Sequence, residues 1–176
     1  MKLRLILLVA ATLMAIGGVK AQAKQPHRAV ANPEIIDLKN DPAKLPYWGE
    51  KNLLIFYVDP DSYISGGMNK EFTDNMESSK RAAGDNIYGF GIINLKDSWL
   101  PNGIVRKVAA SRTKKNNALI MADKNLSIAT QWGLGDCNNQ FVMIIISKEG
   151  KLVYYYKGQY TPEAEEEFYR VVDKYR

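Results

Sequence analysis

Residues 141–156 read FVMIIISKEGKLVYYY, and this stretch constrains the fold more than any other. Residues 141–147 are almost continuously apolar, which is typical of a strand covered on both faces of a sheet. The polar residues Lys148-Glu149-Gly150-Lys151 have the composition of a tight turn. Residues 152–156 are apolar and aromatic again. The stretch therefore predicts an antiparallel β-hairpin whose first strand lies inside a sheet.

A helix is predicted immediately after the hairpin. Thr161 is suited to cap its N-terminus, and Pro162 is suited to its first position. Glutamates lie near its start, and Lys174 and Arg176 lie near its end, which complements the helix dipole. Its predicted apolar stripe consists of Ala164, Phe168, Val171, Val172 and Tyr175. The chain should thus end in a hairpin and one amphipathic helix.

Two further apolar runs precede the hairpin, at residues 53–58 and 87–95. Each is followed by a helix signal, Asn69 as an N-cap for the first helix and Pro101 in the first turn of the second. A short strand at residues 118–121 and a brief helix complete the series. Successive β-α units require parallel strands with right-handed crossovers. The order predicts an α/β fold: a mixed central sheet with helices on both faces and a C-terminal β-hairpin plus helix.

The N-terminus has the pattern of a secretory signal. Lys2 and Arg4 precede an apolar run at residues 5–16, and small residues follow at positions 19, 21 and 23. The run is shorter than the roughly 20 residues that a spanning helix needs. We therefore expect a signal peptide over residues 1–23, and the alternative is an uncleaved membrane anchor.

Cleavage is expected before Gln22 or Lys24, which would place the mature protein in the periplasm or outside the cell. Residues 24–44 are predicted to be a linker with a candidate edge strand, because their first part is polar and contains two prolines. Residues 45–176 are then the folded domain. Cys137 lies far from the apolar run, so a lipid-modified cysteine just after that run is excluded. No stable membrane anchor is expected after cleavage.

Composition excludes several classes of function. Cys137 and His27 are the only cysteine and the only histidine, so Ser-His-Asp, Cys-His and multi-histidine zinc sites are unsupported. Loss of Lys2, Arg4 and Lys20 with the signal would lower the formal net charge of +5 by three, to +2. A nearly neutral domain lacks the excess of positive charge that binds the phosphates of a nucleic acid. We expect no metal, no cofactor and no nucleic-acid partner.

The element order resembles the longer form of the thioredoxin-like superfamily over roughly residues 45–176. Residues 53–62 are similar to the strand and redox loop of that superfamily. Residues 120–123, with residues 128–133, are similar to its passage of strand, Asp, short helix, aromatic residue and Gly. The hairpin followed by Gly158 is similar to its terminal hairpin. The resemblance implies a thioredoxin-like domain.

A closer resemblance is to the YtfJ-like family of periplasmic proteins. It is carried by Ile92-Ile93-Asn94, Asp97, Leu100-Pro101-Asn102-Gly103 and the hairpin at residues 141–151. This resemblance implies a periplasmic thioredoxin-like domain, and these motifs indicate little about activity.

The working parts of the redox branch are missing. Redox members of the superfamily carry C-x-x-C at the N-terminus of the first core helix, where the helix amides stabilise the thiolate. Asp61 and Ile64 stand about where those cysteines would be. Redox members also have a cis-proline before the strand that starts here at Phe141, and residues 138–140 read Asn-Asn-Gln at that place. Disulfide exchange by the usual dithiol route is therefore excluded.

Polar residues follow two of the predicted parallel strands, at the edge where open α/β sheets bind ligands. Asp59 and Asp61 follow the first strand, and Asn94 and Asp97 follow the second. Asn139 is expected at the same edge, because the superfamily's proline loop packs over its dithiol. Together these residues predict a cleft for a small polar ligand or a cation. The alternative is that Asp59 and Asp97 only cap helices and turns.

Cys137 is expected to lie beside the Asp59–Ser62 loop and to be inert, because nearby carboxylates disfavour a thiolate. The leading functional hypothesis is an exported binding or accessory module without dithiol redox chemistry. Its partner would be an envelope protein or a small polar ligand. The alternative is a single-cysteine redox enzyme, of the peroxidase or mixed-disulfide type, that uses Cys137.

Two surface patterns leave alternatives open. No acidic residue lies between Asp97 and Asp123, so the helix predicted there either meets an anionic partner or lipid headgroup or is simply a solvated face. The basic residues of that interval are Arg106, Lys107, Arg112, Lys114 and Lys115. Tyr154-Tyr155-Tyr156 predicts either a contact surface or a strand that is part core and part sheet edge.

Overall fold

The structure, a computed structural model, describes residues 26–64 and 67–176. The predicted signal peptide and its cleavage sites lie outside the described residues. The strands are β1 (Arg28–Ala29), β2 (Ile35–Ile36), β3 (Pro42–Ala43), β4 (Asn52–Val58), β5 (Ile87–Asn94), β6 (Ile120–Asp123), β7 (Phe141–Ile146) and β8 (Lys151–Lys157). The helices are α1 (Pro60–Ile64), α2 (Lys70–Ser79), α3 (Asn102–Asn116), α4 (Ser127–Gln131) and α5 (Pro162–Tyr175).

These strands form one mixed sheet in the order β1-β8-β7-β4-β5-β6-β2-β3. β4, β5 and β6 are parallel neighbours, whereas β7 pairs antiparallel with β4 and forms a hairpin with β8. The central strands β4 and β7 are the most apolar segments, because both of their faces are covered. The predicted fold class is confirmed.

Alternate side chains of the central strands enter two apolar clusters, one on each face of the sheet. Ile55 and Ile144 pack in the cluster that contains Trp132 after α4. Leu54 and Met143 pack in the cluster formed with α2 and α5. Helices therefore lie on both faces, as the sequence pattern predicts.

The segment before β4, which we expected to be a linker with one edge strand, contributes three short strands. β1 pairs with β8, while β2 lies between β6 and β3 and so is not an edge strand. The indole Nε1 of Trp132 donates to the carbonyl of Ala31 at 2.9 Å, and the side chain of Asn32 accepts from the amide of Leu45 at 3.1 Å. Strands of two residues are too short to show an alternating pattern, and their position depends on these distant partners.

Local details differ from the prediction in two helices. Thr161 caps α5 as expected, since its hydroxyl accepts from the Ala164 amide at 3.3 Å. Asn69 precedes α2, but its side chain makes no cap and instead bonds Gly158 and Tyr160. α1 was not predicted, because its sequence has the composition of a turn.

The three tyrosines of β8 are all buried. The hydroxyls of Tyr154 and Tyr160 lie 3.0 Å apart, and that of Tyr156 donates to the carbonyl of Gln159 at 2.8 Å. β1 pairs with β8 only at Lys151 and Leu152, so it does not cover the strand at the tyrosines. The tyrosine run belongs to the core and offers no contact surface.

Candidate functional site

The carboxyl ends of β4, β5 and β6 meet at one edge of the sheet, which we call the carboxyl edge. Val58 pairs with Ile93, and Asn94 pairs with Asp123, so these strands end side by side. β7 begins at Phe141 opposite Val58, which brings residues 136–140 to the same edge. The topology thus brings all the predicted site residues to one end of the sheet.

Asp59 joins the start of α1 to the loop before β7. One carboxylate oxygen accepts from the amide of Asp61 at 2.9 Å, and the other accepts from the amide of Asn139 at 2.8 Å. The Asp59 amide itself donates to the carbonyl of Gln140 at 3.0 Å. Burial raises the pKa of Asp59, although the two amides that bond its carboxylate oppose this. Asp59, Asp61 and Asn139 therefore form one network.

Asp61 extends this network to the loop between β5 and α3. Its two oxygens accept from the Ser98 hydroxyl and from the Trp99 amide, each at 3.0 Å. In the same loop the Asn94 side chain donates to Asp97 at 2.8 Å and accepts from the Lys96 amide at 3.1 Å. These contacts give the predicted site residues a structural role in holding loops together. Ligand binding by them stays a prediction.

Asp123 is a buried residue of the carboxyl edge that was not included among the site residues. Its carboxylate accepts from the amides of Asn125, Ser127 and Ile128, at 3.1, 2.9 and 2.8 Å. The Tyr57 hydroxyl also donates to it at 3.4 Å, and burial raises the pKa of Tyr57. The sequence order "strand, Asp, short helix" was the signal that could have identified Asp123.

Cys137 is buried, with 2 % of its surface exposed, and its thiol donates to the Gly135 carbonyl at 3.4 Å. Burial raises its pKa to about 11, opposed by the charge of Lys157 and helped by Asp136. The expected cause needs correction, because removal from water raises the pKa of Cys137 most, and the charges of Asp136, Asp97 and Asp123 add to it. Asn139, two residues after Cys137, bonds Asp59, and the position of Cys137 itself beside the Asp59–Ser62 loop stays a prediction.

Lys157 is a second residue that sequence reasoning missed. Its ammonium group donates to the carbonyls of Leu134 and Asp136, at 2.9 and 2.8 Å. It thereby holds both sides of the turn that leads to Cys137. Its charge alone does not bring the thiol into the titration range of a reactive cysteine, because burial has the larger effect.

Labelling of Cys137 by iodoacetamide should be slow in the native protein. A pKa near 11 in place of 9.0 lowers the thiolate fraction at neutral pH by about a hundredfold. We therefore expect native labelling at pH 7 to be at least about a hundredfold slower than labelling of the unfolded chain. A pH series measured by mass spectrometry checks this, and a native midpoint below that of an ordinary thiol would contradict it.

Within residues 26–64 and 67–176, no group of three or more histidine, cysteine, aspartate or glutamate side chains is placed to hold a metal ion. In the same part of the chain, no helix is long and apolar enough to cross a bilayer.

No protein-family profile matches this chain, and no curated protein sequence matches it. Solved structures do match it in fold. A DsbF homologue from Corynebacterium diphtheriae superposes with a TM-score of 0.61 at 16% identity, covering 91% of this chain and 96% of its own. The exposed lipoprotein thioredoxin of Streptococcus pneumoniae superposes with a TM-score of 0.57 at 17% identity, and the match covers 80% of this chain and 99% of the lipoprotein. Peroxidoxin BcpB from Mycobacterium tuberculosis superposes with a TM-score of 0.56 at 16% identity, and the match covers 86% of this chain and 98% of the peroxidoxin.

These similarities show that the domain has a thioredoxin-like fold. Identities of 16–17% carry no information about activity. What the domain does has to be argued from its own residues at the carboxyl edge.

Proposed function

We propose that this protein is an exported thioredoxin-like binding or accessory module that performs no dithiol chemistry. The observation that carries the proposal concerns its only cysteine, Cys137. The Cys137 thiol is buried, it donates a hydrogen bond to the Gly135 carbonyl, and its pKa is raised. Exchange by the dithiol route needs an attacking thiolate and a resolving thiol, and the single cysteine of this chain cannot supply both. Such a protein should not reduce insulin disulfides at any pH.

Without dithiol chemistry, the function left for the carboxyl edge is to bind a ligand or a protein at its surface. Asp59, Asp61 and Asn94 are buried and hold the loops, whereas Asp97 is half-buried and Asn139 is exposed. We infer that a small polar ligand or an envelope protein contacts Asp97 and Asn139, while the three buried residues fix their positions. The loops are preorganised by the Asp59 and Asp61 networks, which lowers the entropic cost of binding.

The export and the family assignment are part of this proposal. The basic residues, apolar run and small residues of the N-terminal signal pattern support a periplasmic or secreted location for the mature chain. The finer resemblance to the YtfJ-like family rests on Ile92-Ile93-Asn94, Asp97 and residues 100–103. N-terminal sequencing of the exported protein tests the signal, and an intact Met1 would contradict it.

The binding function is tested by affinity capture from the native envelope. Tagged wild-type protein is compared with the double variant Asp97→Ala/Asn139→Ala, which should lose the specific partner or ligand. The control is Glu149→Ala, an exposed residue in the turn at the opposite end of the sheet, which should keep it. Equal recovery with all three proteins would refute the proposed surface. A partner released only by reductant, and lost in Cys137→Ser, would favour the single-cysteine enzyme.

A further inference from the structure

Three large hydrophobic side chains that lie close in the sequence, on α3 and just before it, are exposed. The exposed fractions are 76% for Trp99, 52% for Ile104 and 53% for Val108. Ile104 and Val108 are four residues apart and so lie on the same face of the helix. An adjacent face of the helix packs on the domain, since Val105 and Ala109 are buried and Val105 packs against β6 and β2. The exposed side chains therefore have no role in the core.

The backbone at Trp99 is anchored by hydrogen bonds to the carboxyl edge. Its backbone amide donates to a carboxylate oxygen of Asp61, and the neighbouring Ser98 hydroxyl donates to the other oxygen, both at 3.0 Å. The Ser98 hydroxyl also accepts from the Leu100 amide at 3.2 Å. These bonds fix the backbone from which the exposed indole projects.

Two exposed lysines lie beside this face of α3. Lys107 and Lys114 are exposed and seven residues apart, so they form a basic row beside Ile104 and Val108. No acidic residue lies between Asp97 and Asp123 in the sequence. We call Trp99, Ile104, Val108, Lys107 and Lys114 the α3 surface.

We propose that the α3 surface docks reversibly on an anionic phospholipid bilayer. A bilayer offers anionic headgroups directly above acyl chains, and the α3 surface offers cations directly beside exposed apolar side chains. Tryptophan is favoured at the membrane–water interface. Each cation near an anionic surface strengthens binding by about fivefold. This contact is a surface attachment, distinct from a membrane anchor, and it is independent of the ligand proposed for the carboxyl edge.

The test is co-sedimentation with vesicles made of phosphatidylcholine and phosphatidylglycerol in equal parts. The protein is used in the form recovered from cells, so every variant has the same N-terminus. We expect sedimentation with these vesicles at low ionic strength, release at high ionic strength, and none with phosphatidylcholine alone. Trp99→Ala should weaken the partitioning, and Lys107→Gln/Lys114→Gln should weaken it by about 25-fold.

The control is Lys39→Gln/Lys148→Gln, which removes the same charge from two exposed lysines elsewhere and should change the partitioning little. Circular dichroism melts confirm that all variants fold. No sedimentation with anionic vesicles would overturn the proposal, and so would an equal loss in the control pair or no effect of Trp99→Ala. Retention on immobilised polyglutamate without vesicle binding would assign the surface to an acidic protein instead and would also overturn it.

Discussion

Trp132→Ala is expected to lower the free energy of unfolding by about 3–5 kcal/mol. The side chain is fully buried in the cluster on one face of the sheet. Removing it leaves a cavity there, and it also removes the indole donor to the Ala31 carbonyl. The Trp48 ring, whose centre is 6.3 Å away, would lose its neighbour. The loss should therefore include the attachment of the segment before β2 as well as the core contact.

Urea unfolding followed by circular dichroism measures this effect without relying on tryptophan emission. The matched control is Trp99→Ala, the same truncation at a side chain that is 76% exposed, which should change stability by less than about 0.5 kcal/mol. Hydrogen exchange should show faster exchange of the Val30 amide, which donates to Gly150 at 2.9 Å. Equal stability of the two variants would show that Trp132 does not organise this cluster.

The central strands could be predicted because their sequences carry the signal by themselves. Residues 53–58, 87–95 and 141–147 are long apolar runs, and each lies within one residue of an observed strand. The strand predicted at residues 118–121 is shifted to Ile120–Asp123. Ala118 and Leu119 begin the apolar run, but they lie in the connection between the end of α3 at Asn116 and the start of β6.

The chain before β4 could not be predicted in the same way. Its strands have two residues each, and they exist because β8, β6 and the Trp132 indole supply partners far away in the sequence. Local composition there, polar with prolines, is that of a linker. Hydrophobic periodicity reports local secondary structure, so it does not reveal contacts between residues that are far apart in the sequence.

The candidate site was predictable in position but not in detail. The rule that parallel strands end at one edge was enough to bring Asp59 and Asn94 together, whereas Asn139 was expected there from the resemblance to the thioredoxin-like superfamily. It could not show that the oxygens of Asp59 would be used by backbone amides from two different segments. Likewise, neighbouring carboxylates predict a raised pKa for Cys137, but the larger cause is burial, which depends on the whole fold.

Asp123→Ala should destabilise the fold by about 3 kcal/mol or more. The carboxylate accepts three amide hydrogens in the turn between β6 and α4, from Asn125, Ser127 and Ile128. Alanine leaves these donors without their acceptor, and an unsatisfied buried donor costs about 1–3 kcal/mol. The amides of Ser127 and Ile128 begin α4, where Leu126 provides no side-chain cap. Asp123 therefore acts as the cap of that helix from within the strand that precedes it.

Two variants separate this role from a general effect of losing an acid. Asp123→Asn keeps one oxygen for the amides of Asn125 and Ser127 but turns an NH₂ group toward the Ile128 amide. Its free energy of unfolding should therefore be about 1–2 kcal/mol lower than that of the wild type. Asp85→Ala removes an exposed carboxylate and should change stability by less than about 0.5 kcal/mol. The measurement is urea unfolding at pH 7. Because alanine removes the acceptor from all three amides and asparagine from one, the expected order of stability is Asp85→Ala, then Asp123→Asn, then Asp123→Ala. Any other order would contradict the capping role.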